Sequence, residues 1–230
     1  VEEFLKEVNR LGEVRHAHVV QFGKCGMAGR LVYVVTELVP GPSARQFVTE
    51  RGPLSLRAGV LMMIQGLEGL VHAHSVGFVH GELNPSNLLI GKYDKRRRVK
   101  VADLGLAVAF DNARLGGPTL LGESGGSLAF RAPERLTHAR EPKPAGDQYS
   151  AAATLYYLLT GHPPYDLPAG SGRAVAKVLG EEPVPILKRK ADLPAELAAT
   201  IHKALARDPA ARFKDLAAFR QALMDGPGGK

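Results

Sequence analysis

Glu82, Asn84, Asn87 and Asp103 are the side chains of this 230-residue chain whose types and spacing suit chemistry. Three of them lie in one octapeptide, His80-Gly81-Glu82-Leu83-Asn84-Pro85-Ser86-Asn87, which runs into apolar Leu88-Leu89-Ile90. The fourth stands sixteen positions beyond Asn87, in Asp103-Leu104-Gly105. Magnesium demands hard oxygen ligands. The Asp103 carboxylate and the Asn87 side-chain carbonyl supply two of them, leaving phosphates and water to complete an octahedron. A competing pattern, His72-x-His74, also suits a metal in type. With no third ligand near it, the reading is a hydrogen-bonded histidine on a buried helix.

The elements that must hold these groups are read from periodicity. Residues 2–14 suit an amphipathic helix, with Glu2 and Glu3 in its first turn and Phe4, Val8 and Leu11 on one stripe. Two β-like runs follow, Val19–Phe22 and Leu31–Thr36, separated by a turn containing Gly23, Gly26 and Gly29. Pro40-Gly41-Pro42 punctuates the chain as a hinge. A long helix then carries Val60, Met63, Ile64, Leu67, Leu70, Val71 and His74 on one face and ends at Gly77. Beyond the octapeptide come short strands Leu88–Ile90 and Val99–Ala102, joined by a basic loop, and an irregular Gly-rich segment, 103–134. Residues 147–160 are apolar nearly all round, as in a helix at the centre of a lobe, with Gly161 as its cap and Pro163-Pro164 beyond. Helices around 194–206 and 215–224 close the chain, and no internal repeat is present.

Composition bounds the function. A hydrophobic content of 45% and a charged content of 23% are those of an ordinary globular protein with a sizeable core. The net charge of +7 does not point to nucleic acid, because the basic residues are dispersed. Their densest runs, Lys95-Arg96-Arg97-Arg98 and Lys188-Arg189-Lys190, read as solvated loops. A single cysteine, Cys25, excludes an internal disulfide and fits a reducing, cytoplasmic compartment. No apolar run approaches the ~20 residues of a membrane span, and no signal peptide opens the chain.

The octapeptide resembles the H-R-D-L-x-x-x-N catalytic loop of protein kinases, Asp103-Leu104-Gly105 resembles D-F-G, and Ala132-Pro133-Glu134 matches A-P-E. Order and spacing together identify a bacterial-type Ser/Thr protein kinase domain over essentially the whole chain. The resemblance implies an α+β, two-lobed fold. Residues 1–39 would form part of the small lobe, with the family's αC helix, its fourth and fifth strands and a hinge at 37–39. Residues 40–230 would form the helical large lobe, with catalytic loop 80–87 and activation segment 103–134. It implies ATP and Mg2+ as ligands, a protein substrate or regulatory partner, and metal binding by Asn87 and Asp103. In the nucleotide site it places Glu7 (the partner of an ATP-binding lysine), Thr36 as gatekeeper, Glu37 and Val39 in the adenine hinge, and Leu89 beneath the adenine. A regulatory spine would run through Leu11, Phe22, His80 and Leu104. Asp147 would hold the catalytic-loop backbone, Arg212 would pair with Glu134, and Ser127 is either the counterpart of the Thr that orders the loop in the family or a solvated loop serine.

The departures from the pattern are chemical. Gly81 replaces the arginine that reads a phosphorylated activation segment, Glu82 replaces the catalytic Asp, and Asn84 replaces a lysine beside the transferring phosphoryl group. Glutamate keeps the carboxylate but moves its oxygens by ~1 Å or more, a displacement that can cost about 10²-fold in rate. Losing a cation at the phosphoryl group removes electrostatic stabilisation, usually the largest catalytic contribution. No G-x-G-x-x-G and no V-A-I-K-like strand precede the first helix. Two strands and one helix do not make an independent lobe. The expectation is therefore missing upstream sequence, a trimmed domain, or strands supplied by a partner. Two functional classes stay open. One is a nucleotide-binding, catalytically impaired pseudokinase or scaffold, the favoured reading. The other is an active Ser/Thr kinase with Glu82 in the role of the catalytic Asp.

Overall fold

The computed structural model describes residues 1–93, 96–113, 125–137 and 142–229. Helix α1, Glu2–Arg10, has Glu2 and Glu3 in the first turn and Arg10 in the last, so both ends suit the helix dipole. It buries Phe4 and Val8 and passes into a 3₁₀ turn, Leu11–Glu13, that buries Leu11. Strands β1, Phe22–Ala28, and β2, Leu31–Thr36, form an antiparallel hairpin. The expected strand Val19–Phe22 is thus corrected: Val19 makes only an isolated parallel bridge to Val101. The Gly23–Ala28 stretch is strand rather than turn, because Leu31–Val35 opposite pairs with Lys24–Ala28, with a register shift at Gly23. The reversal is confined to Gly29-Arg30, where Gly29 takes φ +62° as a two-residue hairpin loop requires.

Pro40-Gly41-Pro42 is clamped rather than free. The Ile90 and Lys92 amides donate to the Pro42 and Pro40 carbonyls at 2.9 and 3.1 Å. A Cβ on Gly41 would lie 2.1 Å from the Ile90 carbonyl oxygen, so only glycine permits this approach. Helix α2, Ala44–Arg51, follows, and the periodicity reading did not anticipate it. Its start was nonetheless written locally as a capping box, Ser43 with Gln46.

Helix α3, Leu56–Ser75, buries Val60, Met63, Ile64, Leu67 and Leu70, and α7, Pro144–Thr160, is buried from Gly146 to Thr160. The two pack together with α10, Ala195–Ala204, and α11, Leu216–Asp225, around one core. Gly161 caps α7 at φ +74°, as expected. Between α3 and α7 lie strands β3, Leu88–Tyr93, and β4, Arg96–Val101, paired antiparallel. The basic run Arg96–Arg98 is therefore part of a strand, because the Leu88–Val101 pairing continues outward in register as far as Tyr93 and Arg96.

The segment expected to be irregular after Asp103 forms helix α4, Leu106–Asn112, and short helices α5, Gly125–Leu128, and α6, Pro133–Thr137. Residues 114–124 of that segment lie outside the described residues. Helix α4 has a reason to form: it docks on α1, with Phe110 against Phe4 at a ring-centroid distance of 4.5 Å. Helices α8, Ser171–Gly180, and α9, Ile186–Arg189, complete the described residues. Arg189, read as a solvated loop residue, instead bonds the Tyr156 hydroxyl and Asp166. Among the described residues no helix is long and apolar enough to cross a membrane.

Candidate active site

The octapeptide is fixed from beneath. Asp147 is buried in α7, and its Oδ2 accepts from the His80 amide at 2.8 Å and from His74 Nε2 at 2.8 Å. Its Oδ1 accepts from the Gly81 amide at 2.9 Å. Burial raises the Asp147 carboxyl, but the His74 hydrogen bond, the nearby His80 and His74 rings and the His80 amide outweigh it and hold the group below its ordinary range. His80 is fully buried, and its Nε2 donates to the Ala102 carbonyl at 3.0 Å while its Nδ1 accepts from the Glu82 amide at 3.3 Å. Both ring nitrogens are thereby committed to the backbone, which gives His80 an architectural role. His74 is taken by Asp147, and His72 stacks on His16 at 5.1 Å.

Above this anchor the loop turns on its asparagines. Asn84 Oδ1 accepts from the Ser86 amide at 2.9 Å, which caps a 3₁₀ turn, Pro85–Asn87. Asn84 Nδ2 and Asn87 Nδ2 both donate to the Glu82 carbonyl, at 3.0 and 3.2 Å. The Asn87 side chain is thus oriented through its amide nitrogen, which leaves its oxygen as the ligand-type atom. Asp103 sits at φ +55°, the one positive-φ non-glycine residue among those described. An aspartate held there is strained, and such residues concentrate at functional sites. Neither a hydrogen bond nor an ion pair engages its carboxylate among the described residues.

Glu82, Asn84, Asn87 and Asp103 all line one cavity of about 620 Å³, together with Ser86, Ser127 and the α4 residues Leu106, Ala107, Phe110 and Asp111. The donor types suit a hard divalent cation, since an asparagine amide and an aspartate carboxylate line the same cavity. Arg45 stands at the rim, its Nε donating to Ser86 Oγ at 2.9 Å and its guanidinium over Phe130 and Tyr157.

The other residues named from sequence lie around this cavity, not in it. Thr36, Leu11, Phe22 and Leu104 converge with Asp103 on a small second cavity. Glu7 is paired within α1 to Arg10 at 3.3 Å. Glu37 is held by the Gln21 amide at 2.9 Å and by Lys100, a buried cation on β4. Val39 is buried, and Leu89 is half-buried beside Ser43. Glu134 and Arg212 form a bidentate pair at 2.7 and 2.8 Å, with the Arg212 side chain fully enclosed.

Sequence reasoning missed Arg131. Its guanidinium donates to Glu82 across the groove, from a position with 9% side-chain exposure. Arg135 likewise reaches back to Asp111 of α4 at 3.1 Å. No local pattern marks either arginine, because each pairs with a residue far away in the chain.

A histidine-anchored loop, an Asn–Asp pair over a cavity and a buried Glu–Arg pair agree with what a scan of family models finds. The model described as "Protein kinase domain" matches residues 1–224. The chain belongs to the protein kinase domain family. It is 35% identical over 231 residues to the serine/threonine-protein kinase PknK of Mycobacterium tuberculosis, covering 98% of this chain and 20% of that one. It is 31% identical over 228 residues to PknB of Mycolicibacterium smegmatis, covering 96% of this chain and 35% of that one. The kinase domain thus spans about a fifth of the length of the PknK relatives it matches. The crystal structure of the Mycobacterium tuberculosis PknI kinase domain shares the fold, with a TM-score of 0.76 at 23% identity over 97% of this chain and 78% of that one. Rad53, crystallised with AMP-PNP, matches with a TM-score of 0.78 at 25% identity over 100% of this chain and 55% of that one. The fold is α+β, a partial small lobe on a helical large lobe, in a kinase domain of bacterial Ser/Thr type. Kinases of this family use ATP, typically with Mg2+, on protein substrates.

Proposed function

We propose that this kinase domain binds Mg–nucleotide in the cavity beside the catalytic loop and transfers phosphate poorly, serving chiefly as a nucleotide-dependent binding module inside the cell. The observation that carries the reading is a division within one loop. Asn87 and Asp103 line the cavity with the ligand types a magnesium ion takes, while the Glu82 carboxylate is engaged by Arg131. In this reading residues 1–39 are the small-lobe part and 40–230 the large lobe. Thr36, Glu37, Val39 and Leu89 border the base of the nucleotide. Asn87 and Asp103 would hold the magnesium ion, whose chemistry is to neutralise charge on the phosphates. Glu82 orients or accepts the proton of an incoming hydroxyl only when its carboxylate turns from Arg131 to the cavity. Asn84 leaves the phosphoryl group without a cation from the loop. The AMP-PNP held by Rad53 supports nucleotide as the ligand class.

The test is calorimetric titration of ATP with Mg2+ or EDTA, with phosphate incorporation into a generic protein substrate measured beside it. Binding is expected to require Mg2+ and to be lost in Asp103→Ala; binding indifferent to both would sink the nucleotide reading. Glu82→Asp is expected to raise transfer by up to about 10²-fold by restoring the carboxylate's position. The second reading, an active kinase with Glu82 as its base, draws on the presence of that carboxylate in the same cavity as Asn87 and Asp103. It prevails if the unaltered chain transfers phosphate as fast as Glu82→Asp.

A further inference from the structure

Gly81 and Arg131 carry a second consequence when taken together. Gly81 lies at φ +81°, and a Cβ built there would meet Val108 Cγ2 of α4 at 3.0 Å. A side chain at 81 is therefore strained in backbone and crowded against α4, and Gly81 itself offers the activation segment no cation. The opposite arrangement is present. Arg131, on the activation segment, reaches into the catalytic loop and pairs with Glu82.

The pair is well placed to transmit position. The main chain at Glu82 is pinned by Asn84 and Asn87 on its carbonyl, which leaves the carboxylate as the movable part. Arg131 is nearly enclosed, and its amide is fixed to the Leu128 carbonyl at 3.1 Å. A charge so buried needs a partner, and removing one leaves the other uncompensated. Residues 131–135 also send Glu134 to Arg212 and Arg135 to Asp111. This five-residue stretch thus ties the catalytic loop, the large-lobe core and α4 together. The extra methylene of Glu82 adds roughly 1.5 Å of reach toward Arg131 that an aspartate would lack.

We propose that Arg131 is a positioning residue that couples the activation segment to the catalytic loop through Glu82, without any phosphate on the segment. The substitutions at 81 and 82 then belong together: the loop lost its outgoing cation and gained a carboxylate long enough to receive an incoming one. The functional meaning rests on the proposed site, but the coupling is measurable without nucleotide. Hydrogen–deuterium exchange of the full chain, followed in peptides covering 80–87 and 131–137, tests it. Arg131→Met or Glu82→Gln alone is expected to speed exchange in both segments about tenfold, and the double variant to add nothing further, as for two ends of one interaction. Exchanging the charges, Glu82→Arg with Arg131→Glu, is expected to restore protection, which a merely space-filling role would not do. Should Arg131→Met fail to fold, Arg131→Lys keeps the cation without the planar fork, and intermediate exchange is expected. Unchanged exchange at 80–87 in the Arg131 variants, or additive single effects, would overturn the coupling. A chain that couples in this way yet binds no Mg–ATP refutes the proposed function alone, and the reverse pattern refutes the coupling alone.

Discussion

The two ends of the catalytic loop are built on opposite principles. At His80-Gly81 two backbone amides are held by one carboxylate, Asp147, itself in a helix buried from Gly146 to Thr160. At Glu82–Asn87 the groups line a cavity, and they are held by asparagine side chains within the loop and by two arginines from outside it, Arg131 on Glu82 and Arg45 on Ser86. The first end is preorganised by the core and costs stability to disturb. The second rests on side-chain partners in the loop itself, on α2 and on the segment after Asp103.

The comparison is broken most strongly by Asp147→Ala. It leaves two amides and His74 without their acceptor, and about 3–5 kcal/mol of stability should be lost, seen as a fall in Tm on the order of 10 °C. Gly69→Ala tests the same frame at its helix. The new methyl would lie 2.5 Å from the His18 carbonyl oxygen, and a net loss of roughly 1–2 kcal/mol by chemical denaturation is expected after the gain in helix propensity. Asp103→Gly sharpens the contrast from the other side. Relief of the positive φ should leave stability unchanged or raise it by up to about 1 kcal/mol, while Mg-dependent ATP binding in a titration is abolished. A variant that lost both together would erase the distinction between frame and groove.

The smallest effect is in pH. Burial lowers the His202 ring below its ordinary value, and its Nε2 accepts the Ile186 amide at 2.9 Å, which requires the neutral form. The unfolded chain therefore binds the proton more readily, so stability should fall as pH drops below about 6.5, the unperturbed value. A series of melting curves from pH 8 to 5 should show this slope, flattened in His202→Gln. Asp147 has the other sign of group: its lowered carboxyl stabilises the fold above the usual aspartate value, and that contribution disappears only as pH falls below about 4. The frame should thus yield to acid in a separate, lower window.

Much of the fold was legible because burial imposes period. The stripe Val60, Met63, Ile64, Leu67, Leu70 found α3, and the unbroken apolar run found α7, since each faces a core that rejects polar groups. The hairpin was misread for the complementary reason. Glycine reports conformational permission and not conformation, so Gly23 and Gly26 sat in a strand once β2 offered a ladder. Helix α2 was written in the Ser43–Gln46 capping box, whereas α4 was not written locally at all. It exists where Leu106–Asn112 finds Phe4 of α1 to pack against.

At the site, residue type and order sufficed to find the Asp147 anchor and the Glu134–Arg212 pair, because buried charge admits few side chains, and to single out Asn87 and Asp103, which line one cavity. By itself the sequence determined the family and brought forward Glu82, Asn84, Asn87 and Asp103, which the fold gathers on one cavity. Only the tertiary structure decided what Glu82 does when the groove is at rest. Its partner lies 49 residues away, on a segment with no periodic signal, and a buried arginine takes whichever carboxylate the packing brings within reach.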